Sequence, residues 1–341
     1  MIRPAMNTVV ELREAFGLDH LTRIERPIAD LQSGQIRLRM QAASLNYRDY
    51  LMVTGGYGNV DLPLVPCSDG VGEVIEIADD VTDVRLGDRV TPTFIQDWPS
   101  GPITVARGRR SLGGPLDGVL QTEMVVRADS VVAMPEYLSD AEAATLPCAA
   151  VTAWNALIAQ GQLQPGETVA IQGTGGVALF ALQFAKLAGA RVAITSKSDD
   201  KLECCRALGA DFTINYRTMP KWGAAVREWS SGGVDHVIEL GGSETLKQSI
   251  RAIRPEGSIS LIGVLSGAVA ELVLPLVVLQ NIRLQGVTVG SRQTHAAMVR
   301  AMAAHAVKPV VDRSFGFDTV PEALQYLKSG QHFGKVVLQI N

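Results

Sequence analysis

Cysteine is scarce in this chain of 341 residues: Cys67, Cys148, Cys204 and Cys205 are its four, and no two form a C-x-x-C pair. That count and spacing argue against a disulfide framework. Basic blocks are also absent, and a net charge of -4 with a pI near 5.8 offers nothing to a polyanion, so nucleic acid is not an expected partner. Residues 1–11 lack the apolar core of a signal peptide, and the expected location is the cytoplasm. One run, 259–280, is apolar enough to raise the question of a membrane span. Gly263, Gly267, Glu271 and Pro275 interrupt it, which suits a buried strand and loop, and no membrane association is expected. His20, His236, His295, His305 and His332 are scattered, so each reads as structural or exposed. No internal repeat or low-complexity tract is present.

What the chain does have is enough length and apolar content, 47% hydrophobic against 19% charged, for two packed domains with sizeable cores. Its most informative stretch is Gly173-Thr174-Gly175-Gly176-Val177-Ala178, which an apolar run enters from 167–172 and an apolar helical run leaves toward Leu187. Strand, glycine turn and helix in that order make a phosphate-binding turn. Gly173 permits the tight turn, Gly175 lets a pyrophosphate approach the backbone, and the small Ala178 lets the helix pack close to the strand. The helix N-terminus then offers unpaired N–H groups and a favourable dipole to the phosphates.

From Thr168 onward strands and helices alternate. Segments 168–172, 191–195, 212–215, 234–240, 258–263 and 284–289 read as short apolar strands; 177–188, 199–208, 221–229 and 244–253 read as the helices between the first five. This spacing predicts an α/β domain with a doubly wound parallel sheet, the Rossmann type. No helix is legible after Gly263. Upstream, 35–40, 70–77, 88–92 and 120–126 alternate with glycine turns and predict a strand-rich domain. Residues 296–306 and 320–329 read as helices and 334–338 as a last strand, and this tail is expected to return to the N-terminal domain. The expected division is therefore 1–148 with 290–341, and 149–289.

Together these residues carry a resemblance to a known family. The chain resembles the medium-chain dehydrogenase/reductase superfamily, in its branch of zinc-independent alcohol dehydrogenase-like and quinone oxidoreductase-like proteins. The landmarks are Ala43-Ser44-Leu45-Asn46-Tyr47-Arg48-Asp49, Pro66-Cys67-Ser68-Asp69-Gly70-Val71-Gly72, Leu86-Gly87-Asp88-Arg89-Val90, the Gly173 turn, Gly209-Ala210-Asp211, Gly241-Gly242 and Phe333-Gly334-Lys335. The resemblance implies a GroES-like catalytic domain beside the Rossmann domain. Where zinc-dependent members carry Cys-His and Gly-His-Glu, this chain has Asn46-Tyr47 and Cys67-Ser68-Asp69; only Cys148 matches a ligand type. One thiol with an Asn and a Ser cannot supply the ligands of a catalytic zinc, and 94–118 replaces the structural zinc lobe without a cysteine, so no metal is expected. Asp69, freed from that role, is expected to pair with Arg48 or another base.

Enzymes that prefer the unphosphorylated dinucleotide usually end the second strand in Asp or Glu to bind the ribose diol. Here Ser196 and Lys197 stand there, and resemblance adds Tyr216 after the third strand, a set suited to the 2′-phosphate of NADP(H). The competing reading gives Asp199 to the ribose and makes the chain an NAD binder. Resemblance also places Thr152 beside the nicotinamide ribose and Lys335 at the pyrophosphate, against the alternative of a plain strand-end charge, with Gly241 among the cofactor contacts. Without zinc, hydrogen-bond donors must stabilise the oxygen that gains charge, and the candidates are Tyr57, Asn46 and Tyr47. Tyr57 matches a loop that lines the active cleft of quinone reductases. The expected activity is NADPH-dependent reduction of an enone or quinone. The alternatives are a zinc-free NADP-dependent alcohol dehydrogenase or aldehyde reductase, and a non-catalytic NADPH-binding protein. The resemblance further implies a homodimer joined through the last strand of the parallel sheet.

Overall fold

The computed structural model describes residues 6–58 and 60–341. The chain divides into one unit made of Met1–Val151 with Gly290–Asn341 and a second made of Thr152–Val289.

In the first unit, β1 (Met6–Leu12) and β2 (Leu21–Pro27) form an antiparallel pair. The larger sheet contains β3 (Gln35–Leu45), β4 (Asp69–Ile77), β5 (Arg89–Pro92), β6 (Glu123–Arg127) and β7 (Val131–Ala133). The second unit contributes β8 (Thr168–Gln172), β9 (Arg191–Ser196), β10 (Phe212–Asn215), β11 (Val234–Glu239), β12 (Ile253–Leu261) and β13 (Arg283–Gly286). The chain then returns to the first unit with β14 (Val311–Gly316) and β15 (Lys335–Gln339).

The larger sheet of the first unit runs β14-β15-β3-β4-β5-β7, with β6 also on β3. β15 lies antiparallel to β3, pairing Val336 with Leu45 and Leu338 with Ala43, so the tail does return to the N-terminal strands. Leu38, Met40, Leu45, Val74, Val336 and Leu338 fill the core beneath it. The helix Val320–Ser329 presents Val320, Ala323, Leu324 and Leu327 to the same core, the i, i+3, i+4, i+7 stripe of an amphipathic helix, and stops at Gly330 in the left-handed region with φ +65°. β2 and β14 are mostly exposed and rich in polar residues, so no apolar period marks them, and only pairing with β1 and β15 makes them strands.

The second unit is the predicted doubly wound sheet, all parallel, in the order β10-β9-β8-β11-β12-β13. Its inner strands β8 and β9 are buried on both faces, hence the continuous apolar runs by which they can be read, whereas the edge strand β13 is mostly exposed. The helix Gly176–Leu187 packs with Phe184 edge-on to Trp154 at 5.3 Å and stacked on Phe180 at 5.9 Å. Burying one such ring contributes about 1.5–3 kcal/mol. β12 begins five residues before the expected start at Ser258, because Val234 pairs with Ile253 before a register shift to His236–Ser258. A short helix, Leu274–Leu279, fills the connection where none was legible. No helix among the described residues is long and apolar enough to cross a membrane.

Candidate active site

In the second unit, the phosphate-type turn follows β8. Gly173 adopts φ +77°, a conformation that favours glycine, and its N–H donates to Thr195 O at 2.8 Å, which ties the turn to β9. Gly175 is the N-cap of the helix Gly176–Leu187, and no side chain caps that helix. The first-turn N–H groups, those of Gly176 and Val177 among them, have no intrahelical partner and can donate to an anion. Thr174 is buried beside them, and Ala178 is fully buried, as close helix–strand packing requires.

Ser196 ends β9, buried, with its Oγ accepting from Ser198 N at 3.3 Å. Lys197 follows it, exposed. Tyr216 donates its backbone N–H to Ser196 O at 3.1 Å and leaves its ring partly exposed. The rival ribose partner, Asp199, has Oδ1 engaged by Asn215 Nδ2 at 3.0 Å. Gly241 follows β11, and a Cβ there would lie 2.2 Å from Thr245 Oγ1. The Gly173 turn, Ser196, Tyr216 and Gly241 thus share the carboxyl ends of the strands, around the β8–β11 pair where strand order reverses. Open parallel sheets bind their ligands at that point. Thr152 lies on the helical segment Val151–Trp154, buried, with Oγ1 donating at 3.1 Å to the carbonyl of Thr288, just past the carboxyl end of β13.

In the first unit, the end of β3 leads into Asn46, which caps the helix Tyr47–Val53. Its backbone N–H donates to Asp49 Oδ2 at 2.7 Å. Arg48 is buried and donates to Asp49 Oδ1 at 3.1 Å, Leu112 O at 3.0 Å and Gly114 O at 3.2 Å. Its guanidinium lies between the rings of Tyr57 and Phe94, 5.1 and 4.9 Å from their centroids. Tyr57 and Tyr47 remain 49% and 37% exposed, so both can offer a hydroxyl. Cys67 turns the chain toward β4 with φ +68°, in the left-handed region that non-glycine residues seldom adopt. A Cβ on Gly118 would lie 1.9 Å from Cys67 O, so that position must be glycine.

Lys335, at the head of β15, is only 3% exposed, which rules out a plain strand-end charge. Its ammonium donates to Leu45 O and Asn46 Oδ1, both at 2.6 Å. Asn46 thus has its carbonyl end occupied. Its amide favours the charged form of Asp69, although Nδ2 reaches hydrogen-bond geometry with no partner. Asp69 is fully buried and accepts from Ser68 Oγ at 2.7 Å and Cys148 N at 3.1 Å. The base facing it is Lys335, whereas Arg48, the other expected partner, pairs with Asp49.

Burial dominates the electrostatics of this cluster. It pushes the Asp69 carboxyl up to about 6 against the pull of Lys335. It raises Asp49 against the pull of Arg48. Burial also opposes the charge of Arg48, but Asp49 and Tyr57 beside it outweigh that and hold the guanidinium above its ordinary value. The thiols of Cys148 and Cys67 are raised, chiefly by burial. A protonated Cys148 beside Ser68 and an Asn46 already bound to an ammonium is a donor set that does not fit zinc. No group of three or more His, Cys, Asp or Glu side chains among the described residues is arranged to hold a metal.

Sequence reading did not anticipate the Arg48–Asp49 pair wedged between Tyr57 and Phe94, nor the buried Glu239 at the end of β11. The visible signal for Glu239 was a carboxylate following the apolar pair Val237-Ile238, one residue before Gly241-Gly242.

Comparison with known proteins matches residues 32–136 to the family described as alcohol dehydrogenase GroES-like domain and residues 176–304 to the one described as zinc-binding dehydrogenase. The chain is 42% identical over 337 residues to a zinc-type alcohol dehydrogenase-like protein of Schizosaccharomyces pombe, covering 96% of this chain and 97% of that one. A solved structure from Sinorhizobium meliloti 1021, designated an alcohol dehydrogenase, superposes with a TM-score of 0.92 at 40% identity over 100% of both chains. An NAD-dependent alcohol dehydrogenase superposes with a TM-score of 0.89 at 29% identity, covering 98% of this chain and 100% of that one.

The raised Asp69 makes stability depend on pH. Below pH 4 the carboxyl is protonated in both states. Between about pH 4 and 6 the unfolded chain ionises while the folded protein holds the proton, so stability falls with rising pH and then levels off. At about 1.4 kcal/mol per unit the loss is about 2–3 kcal/mol. Asp69→Asn removes that slope. Urea unfolding of both proteins at pH 4 and pH 7 should show the wild type losing that amount relative to the variant, and a difference independent of pH would contradict the assignment.

Proposed function

The chain belongs to the medium-chain dehydrogenase/reductase superfamily, as an alcohol dehydrogenase-like oxidoreductase that uses a nicotinamide cofactor, and from that premise we propose that it is a zinc-free, NADPH-dependent reductase of enones or quinones. The observation that carries the proposal is the Asn46, Ser68 and Cys148 set, with the Lys335 ammonium bound to Asn46. Bound at the Gly173 turn, the reduced cofactor supplies a hydride. The protein's residues must then stabilise the oxygen that gains charge, and without a Lewis acid they do so by hydrogen bonds. Such donors serve an enolate, over which charge spreads, better than a localised alkoxide. The second reading is a zinc-free alcohol dehydrogenase or aldehyde reductase on the same scaffold; the names of the relatives favour its alcohol chemistry, while the name of the Schizosaccharomyces pombe relative, zinc-type, speaks against the absence of zinc. An NADPH-oxidation screen across quinones, enals, ketones and aldehydes, with products identified by mass, separates the two. The purified protein should contain well under one zinc per chain and keep its activity in chelator, and stoichiometric zinc would overturn the proposal.

Asn46 Nδ2 is buried, so the donor role passes to the two exposed tyrosines. Tyr57, against the Arg48 guanidinium, is the better placed to donate to a developing enolate. Tyr57→Phe should slow hydride transfer roughly ten- to a thousandfold with little loss of cofactor affinity. Single-turnover rates equal to wild type would reduce Tyr57 to a contact on the substrate loop.

Ser196 at the end of β9, the exposed Lys197, and Tyr216 beside Ser196 support NADP(H), and the engagement of Asp199 by Asn215 weighs against the ribose reading. The NAD-dependent relative speaks for NAD. Ser196→Asp should weaken NADPH binding by more than about tenfold and reverse the preference toward NADH, because the carboxylate repels a 2′-phosphate and accepts from a free diol. Calorimetry showing that the wild type binds NADH as tightly as NADPH would return the ribose to Asp199.

The open edge of β13 and the exposed side chains of Val264, Leu265, Val269, Val273, Leu274, Val278 and Leu279 support a homodimer formed through this unit. Light scattering should give the mass of two chains at micromolar concentration, and a monomer there would count against it.

A further inference from the structure

Glu239 closes β11 with a fully buried carboxylate that has no cationic partner among its hydrogen bonds. Five donors surround it instead. Gly241 N and Gly242 N, each at 2.9 Å, and Thr245 Oγ1 converge on Oε1. Gln172 Nε2 at 2.6 Å and Ser249 Oγ reach Oε2. Gln172 closes β8 and is itself buried; its Oε1 accepts from Leu240 N at 3.1 Å and Gly241 N at 3.0 Å, and its Nε2 also donates to Ser249 Oγ at 2.8 Å. The two side chains therefore clasp β8 to β11, the strand pair at which the sheet order reverses.

A buried, uncompensated carboxylate is an expensive way to join two strands that apolar side chains would join by packing. Its distinguishing ability is that it accepts from every side, so that one group can gather two successive backbone N–H groups and still hold the amide of Gln172. The residue after Gln172 is Gly173, and the backbone that Glu239 gathers is Gly241-Gly242. Gly241 O in turn accepts from Ser266 N at 2.7 Å, and Ser243 N donates to Gly267 O at 3.1 Å, so the loop after β12 hangs on the same anchor.

We propose that Glu239 is a positioning residue for the dinucleotide, setting the Gly173 turn and the Gly241 loop in mutual register through Gln172. The inference rests on the reading that this turn binds the cofactor. The direction of each hydrogen bond supplies a test that bulk stability does not. In Glu239→Gln the two amide groups meet N–H to N–H, and rotating either amide turns its N–H groups onto backbone donors. In Gln172→Glu two carboxylates meet. The exchanged protein, Gln172→Glu with Glu239→Gln, restores a donor opposite every acceptor: the oxygen of residue 239 still faces Gly241 N, Gly242 N and Thr245, its new amide donates to residue 172 and Ser249, and Ser249 donates to the new carboxylate.

The experiment measures NADPH and NADH dissociation constants by calorimetry for the full chain, each variant held well below its own thermal midpoint. Each single variant should weaken NADPH binding about ten- to a hundredfold, and the exchanged pair should return it to within about threefold of wild type. Single variants that melt earlier yet bind within about twofold of wild type would make the clasp merely structural and overturn the inference. So would an exchanged pair no better than the singles. If a single variant does not fold, Thr245→Val, which removes one donor from Oε1, takes its place with an expected weakening of about three- to tenfold, and unchanged binding there counts equally against the proposal. A wild type that binds neither dinucleotide defeats the reading of the turn itself, a failure distinct from that of the clasp.

Discussion

The antiparallel pairing of β15 with β3 is the constraint on which the first unit depends. It joins the end of the chain to a strand some 290 residues earlier, and in doing so delivers Lys335 to the point where β3 gives way to the helix Tyr47–Val53. There the ammonium finds a backbone carbonyl and the oxygen of Asn46. Without that pairing, Asn46 would be an ordinary cap and Asp69 would have no cation facing it. The Lys335 ammonium is thus accommodated at Asn46 with the Asp69 carboxyl facing it.

Charge in this cluster is ordered by burial. Arg48 and Asp49 neutralise each other within one turn of helix, and Lys335 and Asp69 face each other across the ends of β15 and β4. Each carboxyl is raised by desolvation and pulled back by its cation. Tyr57 and Tyr47 are exposed and stand outside this compensated interior. Arg48 links the two regions: its fork is consumed by Asp49 and two backbone carbonyls, while its faces meet Tyr57 and Phe94.

The second unit solves a similar problem with backbone groups. The glycine turn opens a helix that no side chain caps, whereas the N–H groups of Gly241 and Gly242 one strand away are all taken by Glu239 and Gln172. Open donors after β8 and satisfied donors after β11 thus lie on neighbouring strands of one sheet. Satisfied donors hold a loop in place, and open ones remain for a ligand.

The sequence by itself determined the parallel sheet, because strands buried on both faces must be apolar throughout and the helices between them carry a 3.6-residue period. It likewise determined the glycine turn, whose residue types follow from φ and from close approach, and the absence of zinc-type ligands, which is a matter of residue identity alone. β2 and β14 could not be read, since their residues are polar and exposed and only a neighbouring strand makes them extended. Nor could the partners of the buried charges be read. Arg48 stands next to Asp49 in the chain and one landmark before Asp69, and nothing in spacing says which carboxylate it meets. The pairing of Lys335 with Asn46 and of Gln172 with Glu239 joins residues 289 and 67 positions apart, and such contacts exist only once the strands that carry them are side by side. Local pattern follows from the chemistry of neighbouring residues, whereas hydrogen-bond direction and the compensation of buried charge are properties of the assembled sheets.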